Sequence, residues 1–288
     1  MQQPRLDRIE EALVFGIREF MEKRGFERAH LGFSGGIDSA LVAYLAVKAI
    51  GAENITGISM PSRFSSQHSK DDAALLAKNL GCRYEIIPIE ECYAAFICGL
   101  KGIFENRPFD VTEENLQARI RGVYLMAFSN KFNSILFTTG NKSEIAMGYC
   151  TLYGDTCGSL APLGDVFKTE IFALCRLINE KAIASGGKEI IPRNTIEKPP
   201  SAELRPDQKD EDSLPPYPVL DAILDLYLNG KASKETIVAK GWERALVDRI
   251  ADTVSRMEFK RRQLAPVLKI DHETNGREAV SYPAYIEF

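Results

Sequence analysis

Residues 31–39 read Leu31-Gly32-Phe33-Ser34-Gly35-Gly36-Ile37-Asp38-Ser39. An apolar run precedes this stretch and a helical pattern follows it, which predicts a turn from a strand into a helix. At such a turn the free backbone N–H groups and the helix dipole favour an anion, and glycines let the backbone approach phosphate oxygens. The stretch therefore predicts a phosphate-binding loop.

The loop has neither the Gly-Lys-Ser/Thr ending of a Walker A motif nor the Gly-x-Gly-x-x-Gly spacing of a dinucleotide fingerprint. Without a lysine in the loop, the charge on the phosphates needs a metal ion, and Asp38 offers the hard oxygen ligands that Mg²⁺ prefers. The alternative is a tight Gly-Gly turn with an N-capping serine.

Short apolar runs alternate with amphipathic runs on both sides of this loop. We predict strands at residues 29–33, 55–60, 84–89 and 134–139, and helices at residues 39–50, 69–80 and 113–131. Strands alternating with helices at this interval predict an α/β fold, with a parallel sheet covered on both faces.

The pattern changes after residue 165. We predict helices at residues 168–184, 234–240 and 243–262, separated by a charged, proline-rich segment at residues 192–218 that can be neither a helix nor a central strand. The expected organisation is one domain spanning residues 1–288. Its parts are an N-terminal helix (1–28), a nucleotide-binding core (29–185), a mobile loop (186–218) and a C-terminal helical part with a tail (219–288).

Composition excludes several classes. The formal net charge of −4 argues against broad nucleic-acid binding, which needs a basic surface. Neither a membrane span nor a signal peptide is evident, so we expect a cytoplasmic protein. The six cysteines include no Cys-x-x-Cys pair and there are only three histidines, which argues against a zinc or iron–sulfur site.

The pattern Ser-Gly-Gly-x-Asp-Ser at residues 34–39 resembles the signature of the N-type ATP pyrophosphatases. Enzymes of that superfamily cleave ATP between the α- and β-phosphates and transfer AMP to a substrate oxygen. They include synthetases for NAD, GMP and asparagine and several tRNA-modifying enzymes, and the loop alone does not choose among them.

Further segments narrow the choice. Residues 115–121, 138–155, 198–211 and 259–262 together resemble NAD synthetase, over roughly residues 10–268. The resemblance implies a Rossmann-like sheet of the adenine nucleotide alpha hydrolase type with additional C-terminal helices. It also implies the amidation of deamido-NAD: the carboxylate attacks the α-phosphorus of ATP, and ammonia then displaces AMP from the adenylate.

The resemblance also implies roles for individual residues. The expected ATP-binding residues are Gly32, Phe33, Ser34, Gly35, Gly36, Ile37, Asp38, Ser39, Arg63, Gln67, Thr139, Lys168 and Ser201. Arg119, Phe259 and Lys260 are expected to bind deamido-NAD. Asp38 and Glu144 are expected to hold Mg²⁺ and, with Lys168, to be the catalytic residues. The alternatives are an exposed helix face for Arg119 and Arg121, a surface carboxylate for Glu144, an exposed first-turn lysine for Lys168 and a helix cap for Ser201.

The chain departs from the compact ammonia-using enzymes at Leu152, Ser159 and Phe259, where that pattern has lysine, aspartate and histidine. The sequences of its motifs are closer to those in the synthetase part of glutamine-dependent enzymes. We expect free ammonia or a separate amidase subunit to supply nitrogen, because a nitrilase-type amidase would need roughly 250 further residues. We also expect a homodimer that packs through residues 113–131, and a lid formed by residues 192–218.

Three other classes fit the sequence less well. A GMP-synthetase-like enzyme would keep the loop but does not account for the block at residues 138–155. A tRNA thiolase usually has a pair of catalytic or cluster-binding cysteines and a basic surface, and this sequence indicates neither. A non-catalytic nucleotide-sensing domain would leave Asp38 and Glu144 without a shared role.

Overall fold

The computed structural model describes residues 3–105 and 107–270. Its four strands are β1 (Ala29–Gly32), β2 (Ile55–Ser59), β3 (Arg83–Ile86) and β4 (Ile135–Leu136). They form one parallel sheet in the order β3-β2-β1-β4. The predicted parallel α/β architecture is therefore confirmed. The strand order reverses between β1 and β4, and ligands bind α/β sheets at such a switch point.

Helices connect and cover the strands. They are α1 (Gln3–Arg24), α2 (Ile37–Ile50), α3 (Gln67–Leu80), α4 (Glu90–Phe104), α5 (Val111–Phe132), α6 (Lys142–Met147), α7 (Lys168–Ala184), α8 (Arg193–Glu197), α9 (Tyr217–Leu224), α10 (Lys234–Ala239), α11 (Arg244–Arg256) and α12 (Glu258–Arg261). A short π-helical segment, Asp225–Asn229, follows α9. No helix in the described part of the chain is long and apolar enough to cross a membrane.

Apolar clusters of buried side chains hold these layers together. The largest joins α1, α2, α3 and α7 to one face of the sheet, with Leu41 and Leu174 fully buried. A second cluster packs α4 and α5 on the other face through Ile58 and Ile120. Burial of such side chains is the main source of stability. Both faces of the sheet are thus covered, as the alternating pattern predicts.

The third cluster lies among the C-terminal helices. Leu220 of α9 and Val247 and Ile250 of α11 are fully buried against Met147 and Phe167. Met147 ends α6, and Phe167 immediately precedes α7. The C-terminal helices therefore hold in place the two helices that carry Glu144 and Lys168.

The structure differs from the sequence-based elements in several places. The strand predicted at residues 84–89 ends at Ile86. The strand predicted at residues 134–139 is only Ile135–Leu136, because Phe137 continues as a single bridge to Leu160. The proline-rich segment contains α8 and a 3₁₀ turn, so excluding a helix there was wrong. The helix predicted at residues 243–262 is broken at Met257 into α11 and α12. Helix α4 was not predicted, and the tail beyond residue 270, including His272, lies outside the described residues.

Candidate active site

The predicted phosphate loop connects β1 to α2. The N-cap of α2, Gly36, makes no side-chain capping bond, so N–H groups of the first turn remain available to an anion. Gly35 has a φ of 79°, and a Cβ there would lie 2.2 Å from the carbonyl oxygen of Ser69. The backbone conformation and the contact with α3 both require glycine at this position.

The loop opens into a cavity of about 300 Å³ at the carboxyl ends of the strands. Of the residues expected at the site, Gly32, Phe33, Ser34, Gly36, Ile37, Asp38, Thr139, Glu144, Lys168 and Ser201 line the cavity. Gly35 and Ser39 belong to the loop but are not part of the lining; the Ser39 hydroxyl instead donates to the carbonyl of Gly36 at 2.9 Å. The structure thus brings together residues that are distant in the sequence.

A buried lysine lies between two carboxylates at the floor of this cavity. Lys168 Nζ is 2.6 Å from Asp38 Oδ2 and 2.9 Å from Glu144 Oε1. The lysine side chain is 2% exposed, and the carboxylate side chains are 17% and 16% exposed. Lys168 is therefore not the exposed first-turn residue that the alternative interpretation required, and Glu144 is not an ordinary surface carboxylate.

Burial and charge act in opposite directions on this cluster. Burial alone would lower the pKa of Lys168, but Asp38 and Glu144 raise it above its usual value, so the ammonium form is favoured. Burial raises the pKa of Glu144 to about 7; Lys168 opposes this shift, and Asp38 and Asp210 reinforce it. The lysine thus compensates only part of the negative charge that is gathered here.

Asn141 links the loop carboxylate to α6. Its Oδ1 accepts from the backbone N–H of Glu144 at 3.0 Å, which caps the helix, and its Nδ2 donates to Asp38 Oδ1 at 2.9 Å. Asn141 is completely buried. One side chain therefore fixes both the start of the helix that carries Glu144 and the orientation of Asp38.

Asp210, from the proline-rich segment, adds a third negative group. It accepts hydrogen bonds from Tyr217 at 2.8 Å and from Tyr149 at 3.3 Å, and burial raises its pKa. In the described part of the chain no set of three His, Cys, Asp or Glu side chains is arranged to hold a metal ion. Asp38 and Glu144 fit Mg²⁺ as a pair, because Mg²⁺ commonly takes one or two protein carboxylates and completes its shell with water and nucleotide phosphates.

The proline-rich segment covers the cavity. The carboxylate of Glu203 accepts from the Ser66 hydroxyl at 2.8 Å, from the Ser66 N–H at 3.2 Å and from the Ser69 hydroxyl at 2.7 Å. On the other side, Gln117 Nε2 of α5 donates to the Leu204 carbonyl at 2.8 Å. The segment is thus tied to α3 and α5 across the cavity, unlike a linker that only joins two parts of the chain.

Five other residues expected at the site lie away from the lining of the cavity. Arg63 pairs with Glu90, and Gln67 donates to Asp71 at 2.8 Å; both side chains are at the surface. Arg119 donates to the carbonyl of Leu152 at 3.2 Å from an exposed position. Phe259 is 54% exposed. Lys260 donates to the carbonyls of Gly148 and Cys150 at 2.8 and 2.7 Å, and so supports the segment that ends at Asp155.

Arg121 lines the cavity, which rules out for this residue the alternative interpretation of an exposed helix face. Its Nε donates to the carbonyl of Met60 at 2.9 Å, and burial lowers its pKa to about 10. It forms no ion pair within residues 3–105 and 107–270, although the negative charge of Glu203 partly offsets the effect of burial on its pKa. Helical geometry separates residues 119 and 121 by about 200°, so only one of the two arginines could face inward.

Comparison with known proteins identifies similar sequences over most of the chain. The NAD synthase family model matches residues 9–264. The glutamine-dependent NAD(+) synthetase of Synechocystis sp. is 51% identical over 266 residues, which are 92% of this chain and 47% of that protein. The chain thus spans about half the length of the curated relatives that it matches.

Two solved structures align with most of this chain and with nearly all of their own length. The NH3-dependent NAD synthetase from Campylobacter jejuni is 28% identical with a TM-score of 0.71, covering 88% of this chain and 95% of that one. The NMN synthetase from Francisella tularensis is 29% identical with a TM-score of 0.73, covering 94% and 98%.

Proposed function

Because the chain belongs to the NAD synthase family, we propose that it catalyses the ATP-dependent amidation of deamido-NAD to NAD. In the first step, a carboxylate oxygen of deamido-NAD attacks the α-phosphorus of ATP, and the bond to pyrophosphate breaks. In the second step, ammonia attacks the acyl carbon of the adenylate, AMP departs, and one proton is released. The protein needs no nucleophile of its own for this sequence.

The observation that supports this proposal most is the Asp38–Lys168–Glu144 cluster beside the phosphate loop. Asp38 and Glu144 would hold the Mg²⁺ ion, which when bound neutralises charge on the phosphates. Lys168 supplies the fixed positive charge that the loop itself lacks. Preorganised charge of this kind is usually the largest single contribution to catalysis of such a transfer.

We further propose that residues 192–218 are a lid over ATP and the adenylate. Pro199, Pro200 and Ser201 line the cavity, and Thr195 of α8 donates to the carbonyl of Gly35 in the phosphate loop at 3.3 Å. A mixed anhydride hydrolyses readily, so excluding water protects the intermediate until ammonia arrives.

A homodimer is the proposed assembly, and the outer face of α5 its interface. Val123 and Met126, which lie one turn apart on α5, are 65% and 39% exposed, respectively. Large apolar side chains grouped in this way mark a contact surface. Arg119 lies on the same helix, so its expected contact with deamido-NAD would form at this interface. A single glutamate at Val123 should convert a dimer into monomers in light scattering.

The experiment that tests the function compares substrates with the same purified protein. With ATP, Mg²⁺ and ammonium, deamido-NAD should give NAD, AMP and pyrophosphate in equal amounts. Xanthosine monophosphate tests the GMP-synthetase-like alternative, and nicotinate mononucleotide tests the mononucleotide amidation suggested by the name of the Francisella protein. Replacing ammonium by glutamine tests the nitrogen source. The proposal would be rejected if neither ammonium nor glutamine gave NAD. It would also be rejected if the enzyme clearly preferred another acceptor to deamido-NAD.

A further inference from the structure

The first turn of α7, which carries Lys168, is not capped by its own N-cap residue. Phe167 precedes the helix and has no side-chain oxygen to accept from the free N–H groups. The N–H of Lys168 donates instead to Ser143 Oγ at 3.0 Å, and the N–H of Thr169 donates to Asp221 Oδ2 at 2.9 Å. The capping groups of α7 therefore come from α6 and α9.

Asp221 connects these two capping interactions. The hydroxyl of Ser143 donates to Asp221 Oδ1 at 2.5 Å, while the second oxygen of the same carboxylate accepts from Thr169. Ser143 immediately precedes Glu144, and Thr169 immediately follows Lys168. Asp221 thus bonds to the chain neighbours of both members of the Lys168–Glu144 pair.

The surroundings of Asp221 give this link a fixed geometry. Asp221 is 4% exposed and Ser143 is fully buried, so water does not compete for these hydrogen bonds. No lysine or arginine in the described part of the chain forms an ion pair with Asp221. Its charge is stabilised by the positive end of the α7 dipole and by the Ser143 and Thr169 donors. A buried carboxylate held in this way is a rigid link between two helices.

We propose that Asp221 is a positioning residue for the adenylation step, which sets the distance between Lys168 Nζ and Glu144 by joining the helices that carry them. The proposal rests on the proposed function, because the pair acts at the phosphates of ATP. Asp221 itself touches neither side chain of the pair. Its loss would let α6 and α7 shift relative to each other, and Lys168 would no longer lie between the two carboxylates.

The test uses four variants of the full chain: Asp221→Ala, Asp221→Asn, Ser143→Ala and, as a control, Asn179→Ala. Asn179 lies on α7, the helix that carries Lys168, and is buried. It bonds to residues 190 and 191, far from Lys168. We expect Asp221→Ala to lower kcat by about 10-fold to 100-fold and to raise the Mg²⁺ concentration needed for half-maximal rate, as for other residues that orient metal ligands. The KM for deamido-NAD should change little.

Two comparisons separate positioning from general destabilisation. Asp221→Asn should recover most of the activity, because an amide can accept from Thr169 and donate to Ser143. Asn179→Ala should lower the Tm but leave the Mg²⁺ requirement unchanged. If Asp221→Ala changes Tm and kcat only as Asn179→Ala does, with the wild-type Mg²⁺ requirement, the proposal is overturned. If Asp221→Ala does not fold, Ser143→Ala removes one arm of the same link and decides by the same criteria.

A binding measurement distinguishes failure of this inference from failure of the proposed function. Calorimetry with ATP at varied Mg²⁺ should show a several-fold weaker Mg²⁺-dependent affinity in Asp221→Ala than in the wild type. This readout does not require amidation. If the wild type makes no NAD but this difference appears, the function is wrong and the positioning role stands. If NAD forms and the affinities are equal, the positioning role is wrong.

Discussion

Lys168 Nζ lies 2.6 Å from Asp38 Oδ2, although the two residues are 130 positions apart in the sequence. Asp38 lies in the first turn of the helix that follows the phosphate loop, and Lys168 begins a helix that packs beside it. The lysine therefore brings to the loop the positive charge that its sequence lacks.

Removing the lysine charge should damage both stability and catalysis. Lys168→Met leaves Asp38 and Glu144 facing each other without a cation, and breaking a buried pair costs about 3–5 kcal/mol. We expect that loss in the free energy of unfolding from urea denaturation, together with a fall in pyrophosphate release of roughly 100-fold or more. In the control Lys48→Met, the partner Glu10 keeps Lys181, so the losses should be much smaller. Equal effects of the two variants would contradict the account.

Neutralising either proposed magnesium ligand should stop adenylation. Asp38→Asn and Glu144→Gln keep the side-chain shape but remove the charge that would hold Mg²⁺, so pyrophosphate release should fall by roughly 100-fold or more. ATP affinity in both variants should become nearly insensitive to Mg²⁺. Glu10→Gln, a buried carboxylate in a cluster away from the cavity, should reduce stability but retain pyrophosphate release. Full activity in Asp38→Asn or Glu144→Gln would remove that residue from the site.

The two arginines of α5 should have separable effects. Arg121 lines the cavity, so Arg121→Gln should raise the KM for ATP about tenfold or more, the size expected for a charge-assisted hydrogen bond. Arg119 is exposed on the same helix, so Arg119→Gln should leave the KM for ATP within about twofold and should act on deamido-NAD instead. Steady-state kinetics with each substrate varied in turn decides between them. The reverse pattern would show that the inward and outward faces are misassigned.

The lid should become harder to cleave when substrates bind. Trypsin can cut after Arg193 and Lys209 in this segment, because neither residue precedes a proline. We expect ATP, Mg²⁺ and deamido-NAD together to slow these cuts several-fold. Cleavage after Lys240, at the end of α10, should not change. Glu203→Gln weakens the bonds to Ser66 and Ser69, so it should speed cleavage of the free protein. An unchanged cleavage pattern would rule out the lid.

Stability should fall in mild acid because of His30, which is completely buried. Its Nε2 donates to the carbonyl of Leu125 at 3.0 Å, and its Nδ1 accepts from Ser134 at 2.9 Å. Burial lowers the pKa of His30 from 6.5 to about 4, so the unfolded chain binds this proton first as the pH falls. The contribution of neutral His30 to the free energy of unfolding is fully present above pH 6.5 and is lost as the pH falls toward 4. The loss amounts to about 2 kcal/mol between pH 8 and pH 5.

The measurement is urea denaturation of wild type and His30→Gln across this pH range. The variant is expected to be less stable at pH 8 but to lose about 2 kcal/mol less between pH 8 and pH 5. Parallel curves for the two proteins would show that His30 takes up its proton equally in both states.

Local signals made much of this fold predictable. The loop at residues 31–39, the helix bounds at Gly51 and Gly81, and the start of α7 at Lys168 all follow from caps, glycines and periodicity close in the sequence. The contact between Lys168 and Asp38 could not be derived in that way, because it depends on how α2 and α7 pack. The resemblance to NAD synthetase singled out both residues without predicting that they touch.

Other parts of the site needed tertiary information or a closer use of periodicity. Asp221 and Tyr217 lie in no recognisable sequence motif. Only the packing of α9 on α6 and α7 brings them close to the cluster that contains Glu144 and Lys168. Arg121 could have been assigned to the inner face from the burial of Gln117 and Ala118, one turn earlier on α5, once that burial was known.

The most direct test of the central claim follows oxygen from the carboxylate of deamido-NAD. Deamido-NAD labelled with ¹⁸O in the nicotinate carboxylate is incubated with ATP, Mg²⁺ and ammonium, and the products are examined by mass spectrometry. If the carboxylate attacks the α-phosphorus, AMP gains one ¹⁸O atom, the NAD amide retains one, and pyrophosphate stays unlabelled. Label in pyrophosphate or in ADP plus phosphate, or unlabelled AMP alongside NAD, would contradict adenylation of the carboxylate at this site.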